Sequence, residues 1–402
     1  MGTGTDFRGK YSMTTALRLM ALTLTTGLVQ SAAASDFSQA PSLEWKRSLP
    51  GGKVGGVFHT ERAQPLVLED RIYLGTAGGN ALYALSLKNG GLVGEYPAAA
   101  PVYSAPEVLN GDLLFSDSAG YTYRYTPGQS EALWVHFGGV PISSSPTVTG
   151  EGILVATVDD LVFSIASESG ETQWRYQHPP DAGRESELTL FGAPRPALVD
   201  GDTILAGFSD GKLVALDLSG QVLWQKAVGE GRYPDLIAEP TVLEDQVFVG
   251  AFSQPYLSMD LETQTPRWSL SVGTAFSATQ HNDHLILGGS DGVLRKIHTS
   301  TGEILWSWDS ETSGALTKPV VTAAGVIVAS SDGGVYLIDT QTGRQTWTYR
   351  PNHNLDGISA TPVVHGDRLL VVTNGGNLLC FRSGDSRVPQ EDVRQELLRD
   401  LF

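Results

Sequence analysis

The sequence predicts an all-β fold, an eight-bladed β-propeller built of four-stranded blades. Three observations predict it. Tryptophan recurs at 134, 174, 224, 268, 306 and 347, at steps of 40, 50, 44, 38 and 41 residues. Each of these tryptophans closes the same phrase of two β-rich runs joined by tight turns. A further tryptophan, Trp45, stands ahead of the first copy with no copy of its own. Four short strands in about 40 residues make one propeller blade, a unit that cannot bury both its faces alone and must stack on neighbours.

The copies are legible in order. The first runs from Ile72 to Tyr96 and carries Gly94 where the tryptophan would fall. The second, third and fifth start near Leu113, Ile153 and Val247. The fourth reads Ile204-Leu205-Ala206-Gly207, Asp210-Gly211, Leu213 to Asp217, then Trp224. The sixth reads Leu285 to Gly288, Asp291-Gly292, Thr301-Gly302, then Trp306. The seventh reads Val326 to Ala329, Asp332-Gly333, Val335 to Asp339, Thr342-Gly343, then Trp347. The eighth, Leu369 to Phe381, has no tryptophan after it. A further strand precedes each copy, often opening with a proline: Pro65, Pro106, Pro146, Pro196, Pro240, Pro319 and Pro362. Proline has no N–H to donate, so it suits the start of a strand. The orphan Leu43-Glu44-Trp45 is predicted to be the outer strand of blade eight, closing the ring. The tryptophans read as wedges between blades, large apolar groups whose N–H reaches a turn carbonyl. A solenoid or a pair of sandwiches is the competing architecture. A WD40 propeller is disfavoured because the Trp-Asp dipeptide does not recur.

Residues 1–34 read as a secretory signal peptide. Arg8, Lys10 and Arg18 form a basic start, Leu19 to Val29 an apolar stretch, and Ala32-Ala33-Ala34 a cleavage site of small residues. Met13 would serve equally as the start. The apolar stretch is too short to span a bilayer core of about 30 Å. No cysteine follows it, so no lipoprotein acylation site is expected. The domain reading is a signal peptide at 1–34, one propeller at 35–385, and an amphipathic tail at 386–402. The expected location is the periplasm, peripheral to the outer membrane.

Composition excludes several classes. Lys and Arg number 27 against 44 Asp and Glu, a net charge of −17, so a phosphate backbone or an anionic membrane surface would repel the chain. The single cysteine, Cys380, forbids an intrachain disulfide and reads as a buried small hydrophobe. No phosphate loop, nucleophile elbow or Cys-x-x-Cys-His motif is present. Asp210, Asp291 and Asp332 read as Asp-Gly turn residues, and Asp217 and Asp339 as strand-end acids taking local hydrogen bonds. His281 and His284 are the close histidine pair and read as a turn entering a strand. No catalytic residue, metal ligand or cofactor is assigned.

The Gly-x-Leu-x-Ala-Leu-Asp…Thr-Gly-x-x-x-Trp phrase resembles the repeat of quinoprotein-like propellers, a family of pyrroloquinoline quinone (PQQ) dehydrogenases and non-enzymatic members. Two segments resemble the BamB family within it, propeller subunits of the outer-membrane β-barrel assembly machinery. Leu188-Thr189-Leu190-Phe191-Gly192-Ala193-Pro194-Arg195-Pro196 is similar to that family's Leu-x-Leu-Arg-Gly-x-x-x-Pro segment. Arg232-Tyr233-Pro234-Asp235-Leu236-Ile237-Ala238-Glu239-Pro240 is similar to its Arg-Leu-x-Asp-x-Asp-x-x-Pro segment. The resemblance implies that both touch BamA, the barrel-inserting subunit, with Leu188, Leu190, Phe191, Arg232 and Asp235 as partner-binding residues. Leu188, Leu190 and Asp235 match the family pattern. Phe191 stands where the family has Arg, Ile237 where it has a second Asp, and the family's lipid-anchor cysteine is missing. The charged part of the implied contact is thereby reduced.

The residues themselves place a device in the same stretch. The step from Trp174 to Trp224 is the longest, and its surplus falls in Gln177 to Leu190. An inserted loop on a rigid scaffold is a binding device. Leu188 and Leu190 alternate with polar residues, so they either face a partner together or begin the next inner strand. In the tail, Val393, Leu397, Leu398, Leu401 and Phe402 share a helical face, either packed under the propeller or offered to a partner groove. The expected function is a non-catalytic periplasmic scaffold, monomeric within a complex. It binds the periplasmic domains of a BamA-like protein, and unfolded outer-membrane proteins as a further class. The alternatives are a small PQQ-dependent oxidoreductase and a propeller that binds another envelope protein.

Overall fold

The computed structural model describes residues 37–51, 60–179, 194–351 and 356–384. They form thirty-two strands in eight four-stranded antiparallel sheets, each sheet one blade of a ring. The predicted signal peptide (1–34) and the predicted amphipathic tail (386–402) lie outside the described residues. So does most of the inserted loop, with Leu188, Leu190 and Phe191.

Each blade is a meander. Blade 3 runs through Thr147–Val148, Ile153–Ala156, Leu161–Ile165 and Thr172–Gln177, from the axis to the rim. The two middle strands of blade 3 are buried at every residue. They are apolar on both faces because a neighbouring blade covers each face. The outer strand alternates instead, with Gln173, Arg175 and Gln177 exposed and Trp174 and Tyr176 half-buried. Seven inner strands begin one residue after the proline read from the sequence, as Leu66–Leu68 does after Pro65 and Thr241–Leu243 after Pro240. The apolar clusters therefore lie between blades. One joins Leu154 and Val162 of blade 3 to Ile204 and Leu216 of blade 4.

The tryptophans are the outer wedges of these junctions. The indole N–H groups of Trp134, Trp174, Trp268 and Trp306 donate to the carbonyls of Ser167, Leu218, Thr299 and Thr340 in the next blade, at 2.9, 2.6, 2.7 and 3.1 Å. Each ring also lies against the glycine of that blade's last turn: Gly170, Gly220, Gly302 and Gly343, all at positive φ. A Cβ there would stand 2.5–2.8 Å from the ring. The Thr-Gly…Trp phrase is thus one half of two successive docks: its glycine receives the previous blade's tryptophan.

Ring closure follows the sequence expectation. Pro41–Ser48 pairs antiparallel with Asn377–Ser383, and Trp45 stands opposite Cys380. Blade 8 is therefore built from both ends of the described chain. Glu44 ties the closure with Arg368 at 3.0 Å and Arg382 at 3.3 Å. Cys380 is fully buried, and burial pushes its thiol up to about 12.

At one junction a buried acid takes an apolar place. Leu236, Leu316 and Ile358 cap their junctions, donating backbone N–H to Phe208, Gly289 and Ser330 carbonyls of the preceding blade. At the junction of blades 8 and 1 the same place is taken by Glu61, whose N–H donates to Asn374 Oδ1 at 3.2 Å. Its side chain is buried and accepts the Ala77 N–H at 2.8 Å. Burial raises this carboxyl to about 7, against the lowering effect of that hydrogen bond.

Candidate partner-binding face

In a meander, the turn between the second and third strands and the connection from the outer strand to the next blade lie at the same end. All such turns and connections therefore share one face of the ring. The two segments singled out by sequence fall in adjacent connections: that between blades 3 and 4, whose described ends 178–179 and 194–196 lie on this face, and 228–240 between blades 4 and 5.

The turn of blade 4, Phe208 to Lys212, sits between them. Towards the first connection, His178 Nε2 meets Asp210 Oδ2 at 2.9 Å, and His178 stacks on Phe208 with ring centroids 4.2 Å apart. Tyr176 Oη lies 3.2 Å from the other ring nitrogen of His178. Lys212 Nζ donates to Asp210 at 2.7 Å. Burial would raise the Asp210 carboxyl, but the bonds from His178 and Lys212 outweigh it and hold it at about 2. Towards the second connection, Val228 and Gly229 donate N–H to Gly211 O and Leu236 donates to Phe208 O. Gly229 lies so close to Pro234 that a Cβ on it would stand 1.9 Å from the Pro234 carbonyl oxygen.

The connections meet again at the axis. Arg195 Nη1 reaches Glu107 Oε1 at 2.5 Å, and Arg195 Nε lies 4.0 Å from Glu239 Oε1. Arg195 and Glu239, with Ser277 and Lys318, line a cavity of about 290 Å³. Burial holds the Glu107 carboxyl above its ordinary value, against the lowering effect of Arg195.

The structure describes two of the five residues carried over by resemblance. Arg232 is exposed, its guanidinium 5.2 Å from the Tyr233 ring centroid, so its charge is offered to solvent. Asp235 is buried, and its carbonyl accepts the Phe252 N–H at 3.0 Å. It shapes the connection from within. The inner strand of blade 4 begins at Ala197, well beyond Leu188 and Leu190. Sequence reading missed the His178–Asp210 pair. Asp210 is legible as a turn acid, but its partner lies 32 residues away and no local pattern links them.

The turn acids are structural, as read. Asp217 accepts N–H from Ser219 and Gln221, and Asp339 from Gln341 and Thr342. Asp291 and Asp332 hold Arg295 and Ser313. His281 and His284 bound a two-residue hairpin, as read, with Asn282 at positive φ. Among the described residues no three His, Cys, Asp or Glu side chains are grouped to hold a metal ion. No helix among them is long and apolar enough to cross a membrane.

Eight four-stranded blades, five of whose junctions hold a tryptophan against a turn glycine, with connections on one face, give the architecture of a quinoprotein-like propeller. The match to the family model described as "Outer membrane protein assembly factor BamB" covers residues 108–277 and 270–396. The chain belongs to that family. Relatives of the same name include the protein of Burkholderia pseudomallei, 28% identical over 59% of this chain and 63% of its own length. The Legionella pneumophila relative is 27% identical over 48% of this chain and 51% of its own length. The chain thus spans about half to two-thirds of these relatives. The fold is that of BamB from Moraxella catarrhalis, with TM-score 0.72 and 19% identity over 85% of this chain and all of that one. It is also close to a quinohemoprotein alcohol dehydrogenase from Comamonas testosteroni, with TM-score 0.67 and 11% identity over 90% of this chain and 79% of that one.

Proposed function

We propose that this chain is a non-catalytic periplasmic scaffold of the outer-membrane β-barrel assembly machinery. It binds the periplasmic part of a BamA-like protein and assists the insertion of outer-membrane proteins. The observation that carries this reading is the family match across residues 108–396, joined to a closed eight-bladed ring. The loop face between blades 3 and 5 is the proposed contact. There Arg232 offers a free-standing charge beside the connection that carries Leu188, Leu190 and Phe191. Asp235 supports the surface from beneath. The export signal at 1–34 supports the location.

The test is affinity capture of the tagged full-length protein from envelope extract, with mass spectrometry of what accompanies it. Enrichment of a BamA-like protein is expected, with loss on Arg232→Glu and on Leu188→Asp with Leu190→Asp. A preparation free of any barrel-assembly subunit overturns the reading. Unfolding of the leucine double variant would show that those residues are core.

The likeness to a quinohemoprotein dehydrogenase favours one second reading, a small quinoprotein oxidoreductase. Titration with PQQ and Ca²⁺ tests it: saturable binding of the quinone supports it, and none removes it.

A further inference from the structure

The cavity at the axis presents polar groups that the ring itself does not use. Its lining comes from the starts of the inner strands of blades 3 to 7, the ends of those strands nearest the loop face. Two of the lining hydroxyls hold the ring together. Thr147 Oγ1 donates to the Pro196 carbonyl at 2.8 Å, and Thr241 Oγ1 to that of Ala278 at 3.4 Å. Ser277 differs. It is only 8% exposed, yet among the described residues its hydroxyl has no hydrogen-bond partner. Ser145, at the matching place of blade 3, accepts the Ala105 N–H at 3.0 Å. Buried polar groups find partners as a rule, so a partnerless hydroxyl on a cavity wall marks the place of a ligand atom.

The charges of the cavity stand apart in the same way. Lys318, half-buried in the blade 7 wall, makes no ion pair or hydrogen bond among the described residues. It is the neighbour of Ser277 around the axis, since Thr279 Oγ1 of blade 6 donates to the Pro319 carbonyl of blade 7. Glu239 lines the blade 5 wall. The guanidinium beside it, Arg195, lies 4.0 Å away and makes its close bond to Glu107 instead, at 2.5 Å. One guanidinium thus serves two carboxylates, and surplus negative charge stays at Glu239. The cavity therefore carries an unanswered positive charge on one wall and an unanswered negative charge on another. Ala197, Leu198 and Val242 add an apolar lining.

We propose that the axial cavity binds a free amino acid with an aliphatic side chain, its carboxylate on Lys318 and the Ser277 hydroxyl and its ammonium on Glu239. A simple anion would leave Glu239 unanswered, and a simple cation Lys318; a zwitterion answers both. The volume of about 290 Å³ stands at the lower edge of the ~300–1,000 Å³ of small-molecule sites, which suits a ligand of amino-acid size. The apolar lining receives the side chain. The inference stands apart from the loop-face contact proposed above.

The probe is isotope-labelled L-leucine, measured by equilibrium dialysis against the full chain. Saturable binding with Kd below about 1 mM is expected. Leucine amide lacks the carboxylate and isocaproate lacks the ammonium, so each should compete at least about tenfold more weakly than unlabelled leucine. Lys318 has no partner in the fold to lose. Lys318→Met should therefore leave the melting temperature unchanged and weaken leucine binding at least about tenfold. Glu239→Gln should weaken binding by a similar factor, and Lys318→Met decides the matter if that variant fails to fold. Absence of saturable binding below about 1 mM overturns the proposal, as does equal competition by either singly charged analogue or equal binding by Lys318→Met.

Discussion

Trp134 of blade 2 lies against Gly170 of blade 3, so close that a Cβ on Gly170 would stand 2.8 Å from the indole Cδ2. Gly170 is also at φ 73°, a left-handed conformation that side chains resist. Gly170→Ala should therefore destabilise by about 2–4 kcal/mol, the sum of backbone strain and overpacking. Gly128→Ala, at φ 85° with open space, should cost only about 1 kcal/mol. Urea unfolding of the two variants checks the difference. Equal costs would mean that the indole yields freely.

Glu61 makes stability pH-dependent. Its folded pKa of about 7 lies above the ordinary 4.5, so the protonated form fits the native junction better. This contribution is full below about pH 4.5 and is lost as pH rises through about 7. The wild type should lose on the order of 2–3 kcal/mol from this group between pH 5 and 8, at 1.36 kcal/mol per pKa unit. Glu61→Gln should remove that slope. Urea midpoints at the two pH values, compared between wild type and variant, decide it.

Asp210 works in the opposite sense. Its carboxyl is held at about 2, below the ordinary 3.8, so its contribution is present above pH 4 and lost as pH falls through about 2. Asp210→Asn leaves Lys212 without its charge partner and His178 without its carboxylate, and should cost about 2–4 kcal/mol at pH 7. The gap between wild type and variant should narrow between pH 4 and pH 2. A gap that stays constant over that range would show that the charge is immaterial.

Trp45 carries the ring closure. It lies opposite Cys380 in blade 8 and against Gly90 of blade 1, in a cluster that joins both blades. Trp45→Ala should cost about 3–5 kcal/mol, as deletion of a buried tryptophan does. Calorimetry should show the loss as one lowered transition of the whole ring. A separate early transition confined to part of the protein would argue against cooperative closure.

Blade number, strand order and closure were legible because each rests on local chemistry repeated many times. A β-rich run, a turn glycine and a tryptophan specify one meander, and eight copies specify the ring. The absence of a tryptophan at Gly94 was also visible, but not that Tyr96 is buried at that junction with its hydroxyl accepting the Gly128 N–H. The loop face was legible as two segments, through resemblance and through the long step after Trp174. Its internal bonding was not, because His178 and Asp210 are separated by 32 residues of chain.

The sequence by itself determined the repeat, its β-rich runs and turns, and the wedges between blades, since these follow from side-chain chemistry within some forty residues. The tertiary structure alone decided which acids became special. Asp210, Asp217 and Asp291 look alike in the chain, each an acid at a turn. Only the placement of His178 and Lys212 around Asp210, and of Ala77 and an apolar junction around Glu61, set those two carboxyls far apart. Electrostatics depends on distance and burial in space, and the order of residues along a chain specifies neither until the ring has closed.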